Sequence, residues 1–301
     1  MRSTKMIISE DALYCNAKAI RAHIPAEVKM MCVVKADAYG HGSVRAAKAM
    51  LRAGADALAV AIVEEAETLR SAGIDAPILI LGGGDEDSLR RAVRADVAHA
   101  VYAPEMLDAL QSESKALGRP AKAHLKVDTG MSRIGVRDMA ALDALLNHWR
   151  ECCPDVQMTG MFTHYCVAEC DEEFTRLQND RFEAALARVR SAGFNPVAHS
   201  AATSAMMRGE YRHDMVRAGI ALYGSLLPEL DGELQYAQKL SCRPVRIETI
   251  HAGDTVGYGR TFRAEKDMRI MTLPIGYGDG YPRILSNRAD VLVCGRRAPV
   301  V

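Results

Sequence analysis

Short apolar runs rich in β-branched residues alternate with longer stretches rich in Ala, Leu and Arg as far as about residue 230. The longer stretches predict helices, for example Ser43–Ala53 and Glu183–Ala192. The short runs predict strands at Met30–Ala36, Ala57–Ile62, Pro77–Leu81, Asp96–Tyr102, Ala121–Asp128, Gln157–His164, Pro196–Ser200 and Val216–Tyr223. Strands and helices in this alternation predict a parallel (β/α)8 barrel of the TIM type. A doubly wound open sheet is the alternative, but no G-x-G-x-x-G motif follows the first strand.

The pattern changes after about Leu230. Ala237–Ile250, Met268–Ile275 and Ala289–Cys294 predict strands separated by turns that contain Gly and Asp, with no helical stretch between them. We therefore expect a barrel over residues 1–232 and a smaller all-β domain over residues 233–301. Val291–Val301 resembles the start of a hairpin without its partner strand, so we expect the β domain to be incomplete at its C-terminal end.

Composition and charge exclude several classes of partner. Hydrophobic residues make up 49% of the chain, and 38 basic residues balance 38 acidic ones. A nucleic-acid or anionic-membrane partner would usually require a basic excess, so we expect neither. The sequence has no apolar run long enough to span a bilayer, and Met1–Glu10 lacks the apolar core of a signal peptide. These features predict a cytoplasmic protein.

The cysteines give no sign of a metal site. The chain has 8 of them at irregular intervals. Cys166 and Cys170 could form half of a site, but no second Cys/His pair follows at a ligand spacing. The sequence therefore predicts ordinary thiols and no metal.

Residues suited to chemistry occur where the predicted barrel strands end, which is where the active site of this fold gathers. Lys35, Lys126, His164 and Ser200 end predicted strands, and Arg217 lies within the last one. A lysine, further cations and hydroxyls at one mouth suit a cofactor that carries a phosphate and a carbonyl group. Lys35 follows a run of apolar residues, where a desolvated amine would be a good nucleophile. Strand-end lysines also snorkel to solvent without any such role.

The segment Val33–Gly42, VVKADAYGHG, resembles the cofactor-lysine motif of the alanine racemases, which are barrel-type pyridoxal 5'-phosphate enzymes. Five more segments resemble this family and follow its order along the chain: Lys126–Gly135, Phe162–His164, Met215–Gly224, Gly257–Phe262 and Gly276–Arg283. The resemblance implies a racemase that interconverts L- and D-alanine, and D-alanine would feed peptidoglycan synthesis. It also implies a homodimer with shared active sites.

The resemblance assigns roles to individual residues. Lys35 would hold the cofactor and act as a base on one face of the substrate Cα, and Tyr258 of the partner subunit would act on the other face. Arg217 would face the pyridine nitrogen. His164 would contact both Tyr258 and Arg217. Arg133 would contact the phenolic oxygen of the cofactor and the substrate.

The remaining implied residues complete the pocket. Lys126 corresponds to a lysine that is often carbamylated in the family, and Tyr277 would narrow the substrate entrance. The phosphate would be bound by Tyr39 and by the backbone of Gly219 and Ile220. A hydroxyl from Thr203 or Ser204 would join them, because this chain has His-Ser-Ala-Ala-Thr-Ser where the family usually has His-x-Ala-Asn-Ser-Ala.

Three other functions compete with this interpretation. A racemase of another small amino acid, such as serine, would share every motif. A non-catalytic cofactor-binding barrel protein would consist of the barrel alone, without a β domain that carries Tyr258. A barrel-type decarboxylase would be expected to have a carboxylate in place of Arg217.

Overall fold

The computed structural model describes residues 3–224, 230 and 232–301. Strand β1 (Lys5–Ile8) belongs to a second unit that is described below. Eight parallel strands of one sheet follow it: β2 Lys29–Val33, β3 Ala57–Val60, β4 Ile78–Ile80, β5 Ala98–Val101, β6 Ala121–Lys126, β7 Val156–Phe162, β8 Val197–His199 and β9 Met215–Ala218. Each overlaps a predicted strand, although most are shorter than predicted and β2 ends at Val33, before Lys35.

The order of the strands is that of a barrel. Neighbours in sequence pair in parallel from β2 to β8, and β2 also pairs with β9. Backbone hydrogen bonds from Asp214 N to Ala198 O (3.1 Å) and from Arg217 N to Ala201 O (3.0 Å) bring β8 and β9 together. The predicted barrel is therefore confirmed. The last strand is shorter than predicted, because Ile220–Tyr223 forms a 3₁₀ turn.

Helices connect the barrel strands, and several begin at a side chain that caps the first turn. Ser9, Asp85, Asp138 and Asp171 each accept a backbone N–H in this way. The helices are α1 Glu10–Ala22, α2 Lys35–Gly40, α3 Ser43–Arg52, α4 Val63–Ser71, α5 Glu86–Arg94, α6 Pro104–Leu117, α7 Met139–Cys152, α8 Glu172–Ser191 and α9 Thr203–Arg208. Within the described part of the chain, no helix has the length and apolarity to span a membrane.

Two apolar layers hold the barrel unit together. Side chains from alternate strand positions, such as Met31 and Ala59, form one cluster with Phe162. A larger cluster packs helix residues, among them Trp149 and Phe182, against the other faces of the strands. Side chains on successive strand positions point to opposite faces, so each strand supplies both layers.

The second unit comprises Met1–Ile8 and Gln238–Val301 and contains only β-strands and short 3₁₀ turns among its described residues. Its further strands are β10 Gln238–Ser241, β11 Arg246–Ile250, β12 Thr255–Val256, β13 Phe262–Arg263, β14 Met268–Thr272, β15 Asp290–Val293 and β16 Arg296–Pro299. They form the antiparallel pairs β1–β10, β11–β14, β12–β13 and β15–β16. Strand β1 belongs to this unit because it pairs with β10.

The expectation of an unpaired strand in Val291–Val301 was wrong. β15 and β16 pair with each other, with Val293 opposite Arg296. The two residues between them, Cys294 and Gly295, have φ angles of 49° and 79°. Positive φ at both central positions is typical of the tightest hairpin turns. The sequence Cys-Gly is an uncommon choice for such a turn, which is why the pattern did not reveal it.

Gly160 in β7 provides the first test of the barrel. A methyl group at this position would lie 2.4 Å from two atoms of the buried His124 ring in β6. We expect Gly160→Ala to lower the free energy of unfolding by about 1–3 kcal/mol, as overpacking does, and urea denaturation measures this. Gly278→Ala is the control, because a methyl group there meets no atom within 4 Å. Equal urea midpoints for Gly160→Ala and the unmutated chain would contradict the packing described.

Candidate active site

The C-terminal ends of the barrel strands bring the predicted residues of the barrel to one mouth. Lys35 follows β2, Lys126 ends β6, His164 follows β7, Thr203 follows β8 and Arg217 lies in β9. Parallel strands of one barrel end at the same side, so these positions share that side.

The turn after Lys35 is left-handed. The φ angles of Ala36 to Tyr39 lie between 51° and 55°, a region that L-residues seldom occupy in succession. Two carboxylates hold this turn: Glu65 accepts the N–H of Ala36 at 2.6 Å, and Asp37 accepts the N–H of Ser43 at 2.7 Å. The Lys35 amine itself has no hydrogen-bond partner among the described residues.

Arg217 is a buried cation held by carbonyl oxygens and imidazoles. Its Nη1 donates to the carbonyl oxygen and to Nδ1 of His199, at 2.9 and 2.8 Å. Its Nη2 donates to the carbonyl oxygens of Thr163 and Ser200, both at 2.8 Å, and to Nδ1 of His164 at 3.2 Å. The expected contact between Arg217 and His164 is therefore present. Burial lowers the pKa of Arg217 to about 10, which still leaves it charged at neutral pH.

A chain of two histidines lies behind Arg217 and was missed in the sequence. Arg217 can only donate, so His199 accepts at Nδ1 and carries its hydrogen on Nε2. That Nε2 lies 2.9 Å from Nδ1 of His124, which therefore accepts. Burial and the Arg217 charge lower the pKa of His124 to about 3, so both rings are neutral acceptors in this chain. The sequence signal for these two histidines was their position, because His124 lies inside β6 and His199 ends β8.

His164 is a neutral histidine beside several cations. Burial is the largest cause that lowers its pKa to about 3, followed by the charges of Arg217, Arg133, Lys126 and Lys35 in that order. Since Nδ1 accepts from Arg217, the ring hydrogen lies on Nε2. These effects also show that Lys35 and Arg133 lie close enough to His164 to influence its charge.

Lys126 is a buried lysine whose amine donates to the carbonyl oxygen of Val127 at 2.8 Å. Burial lowers its pKa to about 7, and the charges of Arg217 and Arg133 act in the same direction. Asp128 acts in the opposite direction. A large fraction of this amine is therefore neutral near pH 7, which is unusual for lysine.

Two hydroxyls converge on Gly219. A Cβ atom at Gly219 would lie 3.8 Å from the Tyr39 hydroxyl and 4.0 Å from Oγ1 of Thr203. Within the described residues, these two hydroxyl oxygens are the atoms within 4 Å of that Cβ position. Gly219 and Ile220 follow β9 directly, where the 3₁₀ turn begins. Such a set of donors suits an anionic group.

The predicted tyrosines of the β unit are exposed. Tyr258 begins a 3₁₀ turn and is 77% exposed, and Tyr277 begins another and is 62% exposed. Neither belongs to the barrel unit that holds Lys35 and Arg217.

Comparisons with known proteins agree on one family. The family model for the alanine racemase N-terminal domain matches residues 8–227, and the model for its C-terminal domain matches residues 237–301. An alanine racemase of Symbiobacterium thermophilum is 42% identical, over 100% of this chain and 81% of that protein. The solved alanine racemase of Streptomyces lavendulae is 35% identical with a TM-score of 0.92, over 99% of this chain and 80% of that one. A solved histidine racemase of Leuconostoc mesenteroides is 28% identical with a TM-score of 0.88, over 100% and 82%.

The lowered pKa of Lys126 predicts how stability depends on pH. Between the folded pKa of about 7 and the usual 10.5, the unfolded chain binds a proton at Lys126 that the folded chain does not. Stability therefore rises with pH across this window. We expect urea denaturation in carbonate-free buffer to show this rise, and Lys126→Met to remove that part of it. Lys122→Met, at a partly exposed lysine of the same strand, is the control and should keep the rise. Parallel profiles for all three proteins would contradict the burial of Lys126.

Proposed function

The chain belongs to the alanine racemase family, and from this premise we propose that it interconverts L- and D-alanine with pyridoxal phosphate as its cofactor. The observation that carries the proposal is the environment of Arg217, a buried cation whose partners are carbonyls and imidazoles. The relatives at about 40% identity named alanine racemase support alanine as the substrate, over the more distant histidine racemase.

The barrel mouth fits the chemical groups of pyridoxal phosphate. The free Lys35 amine suits covalent attachment of the aldehyde. The hydroxyls of Tyr39 and Thr203, with the backbone amides of Gly219 and Ile220, suit the phosphate. When bound, the cofactor draws electrons away from the substrate Cα and makes its proton more acidic.

Arg217 favours racemisation over other reactions of the same cofactor. Both Nη atoms are used within the barrel, so Nε–H is the donor without a partner in the described part of the chain. A guanidinium at this pKa donates a hydrogen bond and keeps its proton. Arg217 would therefore leave the ring nitrogen of the bound cofactor unprotonated, which would limit electron withdrawal and favour return of a proton to the substrate Cα. A carboxylate would have the opposite effect, as expected for a decarboxylase.

Two bases supply and remove the proton. Inversion at Cα needs one acid–base group on each face, and we assign Lys35 to one face and Tyr258 to the other. Because the Tyr258 side chain is exposed on the β unit, it is suited to enter the barrel mouth of a second copy. The proposal therefore includes a homodimer whose two active sites are shared.

His164 would act on Tyr258 of the partner subunit. Its ring is neutral and carries hydrogen on Nε2, because Nδ1 accepts from Arg217. An Nε2–H that donates to the phenolic oxygen stabilises the deprotonated form of the tyrosine. His164 is thus assigned to prepare the tyrosine as a base.

We also assign a joint role to Lys126 and Arg133, in which a modified Lys126 holds Arg133 in place. The neutral amine of Lys126 can attack CO₂, which forms an N–C bond, releases one proton to solvent and turns the neutral amine into a carbamate with one negative charge. That carbamate would pair with Arg133, which has no hydrogen-bond partner among the described residues. The pairing would orient Arg133 toward the phenolic oxygen of the cofactor and the substrate carboxylate.

The most detailed part of the proposal is the choice of alanine over other small amino acids. We assign Tyr277 to the entrance, where a bulky ring favours a small side chain. Serine adds one hydroxyl to alanine, and an apolar pocket rejects such an addition by only about 100-fold. A cofactor-binding protein without activity is disfavoured, since the C-terminal family domain that contains Tyr258 is present.

Reduction of the bound cofactor identifies the lysine that holds it. We expect borohydride to fix pyridoxal phosphate to Lys35, and peptide mapping by mass spectrometry to find the label there. Lys126 is the rival, because its lowered pKa leaves a large fraction of its amine neutral and therefore nucleophilic near pH 7. Lys126→Met should keep the label and Lys35→Arg should lose it. A label on Lys126 in the unmutated protein would contradict the assignment of Lys35 as the lysine that holds the cofactor.

Mixed dimers test the shared site. Lys35→Ala and Tyr258→Phe should each lose nearly all alanine racemisation as homodimers, because each site lacks one base. A dimer with one subunit of each kind has one site with both changes and one intact site. Equal amounts after random exchange should therefore recover about a quarter of the unmutated sites.

The mixing experiment needs two further measurements. Tyr236→Phe, at another exposed tyrosine, should keep full activity and is the control. Mass spectrometry should show that subunits exchanged. Full exchange without recovery would mean that Lys35 and Tyr258 serve the same subunit's site, or that Tyr258 is not a base. Serine assayed beside alanine decides the substrate.

A further inference from the structure

A cluster of metal-binding side chains lies away from the barrel mouth, between α6 and the end of α7. It contains Asp108, His148 and Cys153, whose donor atoms all lie within 4.8 Å of one another. Asp108 lies in α6, His148 lies near the end of α7, and Cys153 follows α7 directly. None of them has a role in the proposed racemisation.

We propose that this cluster, named the α6–α7 site, binds one Zn²⁺ ion through Asp108 Oδ1, His148 Nε2 and Cys153 Sγ. Carboxylate, imidazole and thiolate are the donor types that bind zinc in proteins. Three protein ligands leave one tetrahedral position for a water molecule. The sequence did not indicate this site, because Asp108 is 45 residues from Cys153.

The distances between the donors are close to those of a tetrahedral ion. Asp108 Oδ1 lies 3.7 Å from Cys153 Sγ and 2.7 Å from His148 Nε2. Around zinc, with bonds of about 2.0–2.3 Å, neighbouring donors are about 3.3–3.7 Å apart. The oxygen–sulfur distance fits already. The oxygen–nitrogen distance must open by about 0.6 Å to match, which follows when the ion replaces the hydrogen between them.

Ion binding has a definite proton balance. The S–H bond of Cys153 breaks, the sulfur binds the ion, and the proton leaves to solvent. A neutral His148 moves its ring hydrogen to Nδ1 and binds through Nε2, while Asp108 stays a carboxylate. One proton is released for each ion.

The surroundings leave the α6–α7 site open to solvent and hold its ligands in place. The side chains of Asp108 and His148 are 57% and 26% exposed, whereas Cys153 is buried in the apolar layer. Gln111 of α6 and Asp155 are joined by two hydrogen bonds of 2.6 and 2.9 Å, which hold α6 against the segment after α7. The ligands are thus held close together before the ion arrives, and the ion would stabilise the fold as it fills the site.

Cobalt is the probe for this site, because tetrahedral Co²⁺ absorbs in the visible range and its bond to a thiolate adds a near-ultraviolet charge-transfer band. Holoenzyme is titrated with Co²⁺, and its spectrum is recorded against metal-free holoenzyme. We expect both bands to saturate at one ion per chain. Added Zn²⁺ should remove them by displacement.

Variants assign the ion to the α6–α7 site. Cys153→Ser should abolish the charge-transfer band. Cys152→Ser, at the exposed neighbouring thiol, is the matched control and should leave it unchanged. Asp108→Asn and His148→Gln should weaken Co²⁺ binding by at least about 10–100-fold, the loss typical even of indirect partners. These two changes lie outside the apolar layer, so they test the site if Cys153→Ser does not fold.

Two results would overturn the proposal. One is a holoenzyme that shows no charge-transfer band at saturating Co²⁺. The other is a band that survives undiminished in Asp108→Asn and His148→Gln, or that disappears in Cys152→Ser, because the ion would then be bound elsewhere.

Discussion

The other residues at the C-terminal ends of the barrel strands depend on Arg217. Its guanidinium is buried in the barrel and has no carboxylate among its described partners. Such a charge is costly unless its donors are satisfied. Arg217 is satisfied by the carbonyl oxygens of Thr163, His199 and Ser200, which lie at or just beyond the ends of β7 and β8. The His199 carbonyl also accepts the backbone N–H of Thr163 at 3.4 Å, so this oxygen serves both the pairing of the strand ends and the binding of Arg217.

The same charge sets the proton affinity of its neighbours. His124 and His164 have pKa values of about 3, and Lys126 has one of about 7, in each case through burial and the nearby Arg217. A fixed cation thus keeps the two histidines neutral and leaves Lys126 only partly protonated near pH 7. Neutral neighbours can donate or accept hydrogen bonds without adding charge, while the cations of the mouth attract anionic groups such as carboxylate or phosphate.

Features that depend on a local sequence pattern could be predicted, whereas contacts between residues far apart in the sequence could not. Buried strands appear as apolar runs, so the barrel and the strand-end position of Lys35 could be predicted. The pair His124–His199 could not, because its members lie 75 residues apart on strands that flank β7. Gly160 of β7 leaves the space for the His124 ring, and a single glycine in a strand gives no such signal. Motif resemblance identified Arg217, but only the structure shows which groups hold it.

The left-handed turn after Lys35 makes one further residue part of the site. Four successive left-handed residues cost about 1–2 kcal/mol each, so Lys35–Gly40 would not adopt this shape alone. Glu65 opposes that cost, because its two oxygens accept the N–H groups of Ala36 and Ala61 at 2.6 and 2.7 Å. A right-handed turn would direct Tyr39 elsewhere and separate its hydroxyl from Gly219. A carboxylate with no assigned part in proton transfer therefore keeps Lys35 and the Tyr39 hydroxyl at one site.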